Sequence, residues 1–130
     1  MINQIPNSNV QKNYDLEKRT SDFAVRVIRF CKAIRQNVIT VPLINQLIRS
    51  GTSIGANYLE ANEANSKKDF CYKIAIAKKE ARETMHWLQM IIEADKSTEK
   101  VANQLHNEAH EFVLIFSAII RNSKLNKNKL

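Results

Sequence analysis

The chain has 130 residues, 44% of them hydrophobic, and a net charge of +7, which allows one domain with a real core. With two glycines and two prolines it lacks the turn residues of a β-fold, so nearly all of it is expected to be helical. No apolar run reaches the length of a membrane span. The opening Met1–Asn7 has no basic-then-apolar signal order, so a cytoplasmic protein with reduced Cys31 and Cys71 is expected. The surplus of cations favours polyanionic partners, although the same balance also serves solubility.

Residues 1–14, rich in asparagine and glutamine around Pro6, read as a flexible arm before a bundle domain over 15–123. From about Asp15 to Gln36 a first helix places Leu16, Phe23, Val27, Phe30 and Ile34 in one stripe. Arg19, Arg26 and Arg29 occupy its flank beside Lys18, with only Asp22 interrupting. Asn37 to Val41 makes a short connection, and Pro42 suits the first turn of a second helix that runs to about Asn65.

That second helix holds both glycines of the chain. Leu47, Ile54, Tyr58 and Ala61 share one face, and Gly51 and Gly55 lie four apart beside them. Each glycine costs about 1 kcal/mol against alanine inside a helix, so the pair predicts close approach of another helix. Arg49, Ser53, Asn57 and Glu60 form a second face. Arg49 and Glu60 are roughly 16 Å apart along the axis and cannot pair directly. Either this face is solvated, as charged faces mostly are, or it is covered and each charge meets a partner on another helix or subunit. The adjacent glycines favour the covered reading.

Ser66 with Asp69 three later resembles a capping box opening the third helix. Phe70, Ile74, Ala77, Ala81, Thr84, Leu88 and Ile91 then step by four and three, the spacing of a bundle seam. Asp69–Lys73 and Lys79–Glu83 have the spacing of i,i+4 ion pairs. Ser97 is expected to cap the fourth helix, about Thr98 to Asn122, with Val101, Leu105, Ala109, Phe112, Phe116 and Ile119 on its core face. Val113, Leu114, Ile115 and Ile120 make its second half apolar nearly all round, which suggests burial by another subunit. Residues 124–130 read as a basic tail. Four such helices with short connections give an all-α, antiparallel up-down-up-down four-helix bundle.

Enzymatic chemistry finds little footing. His106 and His110 lie one turn apart beside Glu111, but Asn107 stands where a zinc protease needs its glutamate, and His86 is the only other histidine. Glu83-Thr84-Met85-His86 has no second copy, as a di-iron centre requires. Neither cysteine has a polar setting that activates a thiolate. Gly51-Thr52-Ser53-Ile54-Gly55 lacks the lysine and the preceding strand of a phosphate loop. A non-enzyme without metal or cofactor is expected. Nucleic-acid binding is the better expectation, through Arg19, Arg26, Arg29, Lys67, Lys68, Lys78, Lys79 and Arg82. With few aromatics among them, contacts should be to phosphates and salt-sensitive. The competing readings are an ordinary solvated charged face and a scaffold for a protein partner.

The run from Ser50 to Ala61, then Ser66-Lys67-Lys68-Asp69-Phe70 and Lys79 to Leu88, resembles the bacterial four-helix-bundle proteins encoded in intervening sequences of 23S ribosomal RNA genes. The accessory protein of diversity-generating retroelements belongs to the same group. The resemblance covers roughly Asp15 to Asn122. It implies a ring-like homopentamer around an axial channel, without enzymatic activity. In the retroelement branch it implies a basic surface that binds RNA or DNA and a partner reverse transcriptase. It further implies that Arg49, Asn57, Glu60 and Glu80 are structural residues within or between bundles.

Overall fold

The computed structural model describes residues 8–129, with side chains described over 16–124. Four helices carry the fold: α1 (Ser8–Ala33), α2 (Thr40–Asn62), α3 (Lys67–Ala94) and α4 (Glu99–Lys129), with a single 3₁₀ turn, Lys96–Thr98, before the last. There are no strands among the described residues. Short connections make neighbouring helices antiparallel. Each helix packs against its neighbours in sequence and α4 closes on α1.

The helices run further than expected at the outer ends. α1 begins at Ser8, so part of the segment read as an arm is helical, while residues 1–7 lie outside the described residues. α4 continues to Lys129 through the stretch read as a tail, and Leu130 lies outside the described residues. Neither extension contains a glycine or proline, and lysine, leucine and glutamine carry good helix propensity.

The connections are held by side chains. Asn37 Oδ1 accepts from the Ile39 and Thr40 amides, and the buried Thr40 hydroxyl donates to the Arg35 carbonyl at 2.7 Å. Ser66 has extended backbone and its hydroxyl accepts from the Asp69 amide at 3.0 Å, the geometry of an N-cap. Ser97 lies inside the 3₁₀ turn that precedes α4, and Asp95 caps that turn, its carboxylate accepting from the Ser97 amide and hydroxyl. Aspartate reaches these donors from outside the turn, whereas Ser97 sits within it.

The core mixes aromatic and aliphatic side chains in one cluster. Phe23 meets Phe112 edge-on at 5.5 Å, and Phe116 lies against both Phe112 and Tyr58. Leu47, Ile54, Ile74, Leu88, Ile91 and Leu105 are fully buried. Val101, expected on the core face, is 45% exposed, and Ala102 is buried instead. The buried register of α4 is Ala102, Leu105, Ala109, Phe112 and Phe116, continuing from Thr98 in the turn before it, which leaves no inward position for Val101.

Both glycines face α1. A Cβ added to Gly51 would stand 3.0 Å from a Val27 methyl, and one on Gly55 would stand 3.0 Å from the Thr20 hydroxyl and 3.2 Å from its Cβ. Thr20 turns that hydroxyl onto the Leu16 carbonyl at 2.8 Å, so its polarity is satisfied inside the crossing. One residue along, Ser50 accepts from the Thr84 hydroxyl of α3 at 2.9 Å, fully buried. Small side chains therefore narrow both interfaces of α2.

Candidate nucleic-acid interface

The expected cations divide into those engaged within the chain and those that face solvent. Arg19 is engaged. Its guanidinium donates to Glu108 at 2.8 and 3.3 Å and to Glu111 at 3.1 Å, and lies 5.2 Å over the Phe112 ring. The hydrogen bond to Glu108 raises its pKa most, against a smaller opposing effect of burial. Two carboxylates already neutralise this arginine, so it is a clamp between α1 and α4 rather than a free phosphate ligand.

Arg26 and Arg29 on α1, Lys67 and Lys68 in the first turn of α3, and Lys79 and Arg82 further along α3 are exposed. Lys78 is half-buried. None of these seven forms a salt bridge among the described residues. The i,i+4 partners expected on α3 look elsewhere. Lys73 donates to Glu60 of α2 at 2.7 Å rather than to Asp69, and Glu83 pairs with Arg49 rather than with Lys79. An inter-helix partner held by packing outcompetes a solvated neighbour on the same helix, whose pairing brings only a few tenths of a kcal/mol.

The second face of α2 lies along the seam with α3. Arg49 donates to Glu80 at 3.0 Å, to Glu83, and to Gln46 on its own helix. Its pKa is raised first by the bond to Glu83. Ser53 and Asn57 hydrogen-bond to carbonyls one turn back on α2, at 2.6 and 2.9 Å. The structure thus joins Arg49 to Glu80 and sends Glu60 to Lys73, with Ser53 and Asn57 turned onto their own backbone. Both charges find partners inside one chain, on a seam that is half open: Arg49 is 45% exposed and Glu80 11%.

The sequence spacing paired Lys73 and Glu83 with neighbours on α3 instead of Glu60 and Arg49, and did not single out Glu108 and Glu111 as ion-pair partners. Glu80/Glu83 and Glu108/Glu111 share i,i+3 spacing, a hint of two carboxylates on one helix face, but nothing local says which arginine they meet.

His106 is half-buried, and its pKa is lowered by burial and then by His110. Burial pushes the Cys31 thiol up to about 11. No group of three or more His, Cys, Asp or Glu side chains that could hold a metal occurs among the described residues. A recess at the α2–α3 turn is lined by Glu60, Glu63, Asp69 and Lys73, a mostly acidic wall that does not suit phosphate. No helix among the described residues is long and apolar enough to cross a membrane.

Comparison with known proteins places this geometry. The family model described as 23S rRNA-intervening sequence protein matches residues 12–118. A crystal structure from Bacteroides thetaiotaomicron, of a protein with unknown function from the S23 ribosomal protein family, is 35% identical with a TM-score of 0.72. The match covers 80% of this chain and 96% of that one. No curated protein matches the chain.

Proposed function

The chain belongs to the 23S rRNA-intervening sequence protein family, and on that footing we propose that it acts without enzymatic chemistry, as a self-associating helical bundle that binds RNA or DNA. The observation that carries this reading is the sorting of charge. Glu60, Glu80, Glu83, Glu108 and Glu111 are held in ion pairs by Arg19, Arg49 and Lys73 along the helix seams. Six cations named from the sequence stay exposed, without an acidic partner among the described residues. Unopposed surface cations gain most from displacing counterions on a phosphate backbone.

The assembly in this proposal is the homopentamer that the family resemblance implies. It is supported by α4, where Leu114 is 56% exposed beside the part-buried Val113, Ile115, Ile119 and Ile120. Five copies would multiply a weak basic patch into an avid one. A cytoplasmic setting belongs to the same proposal. A second reading, a scaffold for a protein such as a reverse transcriptase, draws on the α1–α2 connection. There Val38 is 86% exposed, Ile39 61% and Val41 39%.

The test is binding of the purified protein to a structured RNA and to duplex DNA at low salt, with native mass measured in the same buffer. Micromolar or tighter binding by a species five times the 15.0 kDa chain is expected. Absence of binding at low salt overturns the nucleic-acid reading and turns attention to a protein partner.

A further inference from the structure

Along α3, Lys68, Tyr72, Ala75, Lys79, Arg82 and His86 recur at steps of four, three, four, three and four, and all six are exposed. At 3.6 residues per turn they fall within about 40° of a single line. Ile74, Ala77, Glu80, Ala81, Thr84 and Leu88 are the buried residues of α3 from Lys68 to Leu88, and all lie off the line, which runs on the side of α3 away from the core. It is roughly 27 Å long at 1.5 Å per residue.

Three features make it more than a solvated face. Its cations are unopposed: Glu80 and Glu83 are drawn to the α2 side by Arg49, and Asp69, in the first turn, lies about a quarter-turn off the line. Tyr72 stands among the cations with 61% of its surface exposed. Ala75 follows it, so nothing bulky separates that ring from Lys79. The series ends in acid at Glu93.

We infer that this α3 stripe is a track for a single nucleic-acid strand. Lys68, Lys79 and Arg82 contact successive phosphates and Tyr72 stacks on one base. A strand is favoured over a duplex because a paired base offers no free face to an exposed tyrosine, whereas unpaired bases stack on aromatic rings whatever their sequence. The assignment rests on the nucleic-acid reading above and says where on the molecule it acts.

The probe is a fluorescein-labelled, unstructured single-stranded RNA of about 12 nucleotides, within the usual site size for such grooves, compared with a duplex of equal length. Its anisotropy is followed across a salt series with the full chain. Lys79→Gln with Arg82→Gln should weaken single-strand binding roughly tenfold and make the slope of log K against log salt shallower by about 1.4. Tyr72→Ala should cost about fivefold or more on the single strand, leave the salt slope unchanged and spare the duplex. All of these positions are exposed, and unchanged thermal melts identify the variants as folded. Arg26→Gln with Arg29→Gln on α1 should have the smaller effect. If that α1 pair abolishes binding while the α3 variants bind normally, the track is overturned and the nucleic-acid reading survives on α1. If the wild-type chain binds neither probe, both fall. Equal loss on strand and duplex in Tyr72→Ala overturns the stacking role.

Discussion

Arg19 and Arg49 do the same job on two seams of the bundle. Each guanidinium ties its helix to two carboxylates three residues apart on a neighbour: Glu108 and Glu111 for one, Glu80 and Glu83 for the other. Glu80 is the more enclosed carboxylate, so Arg49→Ala leaves it poorly solvated without its cation. Because the seam is half open, the expected loss is about 1 kcal/mol by denaturant unfolding. Glu80→Gln should restore part of it in the same background, and strictly additive losses would contradict the pairing. Cys31 offers a second residue-scale prediction. Its thiol, raised by burial to about 11 from an ordinary 9.0, stays protonated in the folded chain where the unfolded chain ionises. Its share of stability is therefore complete below about pH 9 and is lost as pH rises towards 11. Thiol labelling at pH 8 should modify the half-buried Cys71 first and reach Cys31 only on unfolding.

At the scale of the element, α2 is fixed by what it lacks. Gly51 and Gly55 let α1 approach until Val27 and Thr20 fill the space of two missing side chains. Gly55→Leu would force the helices apart and is expected to cost at least about 1–3 kcal/mol. Ala56→Leu, one residue along on the exposed side, should be nearly neutral in the same thermal melts; equal effects would contradict the close crossing. These glycines were legible in the sequence because a penalty inside an apolar period needs compensation. The seam of α3 and the Ser66 cap were legible too, since each rests on local spacing. Val101 was misread because α4 is apolar on so many sides that its period does not single out one face. The partners of Arg19, Arg49 and Lys73 were not legible, because ion pairs between helices depend on crossing geometry that local spacing does not encode.

Over the whole molecule, the net charge of +7 is less informative than its distribution. Five carboxylates are gathered into the α1–α4 and α2–α3 seams, and exposed cations remain on the outer faces of α1 and α3. Composition carries the surplus but not which cations are engaged: Arg19 shares its flank of α1 with Arg26 and Arg29, and only the fold brings Glu108 and Glu111 to it. The most direct measurement is the slope of log K against log salt for the wild-type chain on a structured RNA. Engagement of three or more phosphates predicts a slope of about −2 or steeper. A flat salt response, or no binding at low salt, would contradict the account.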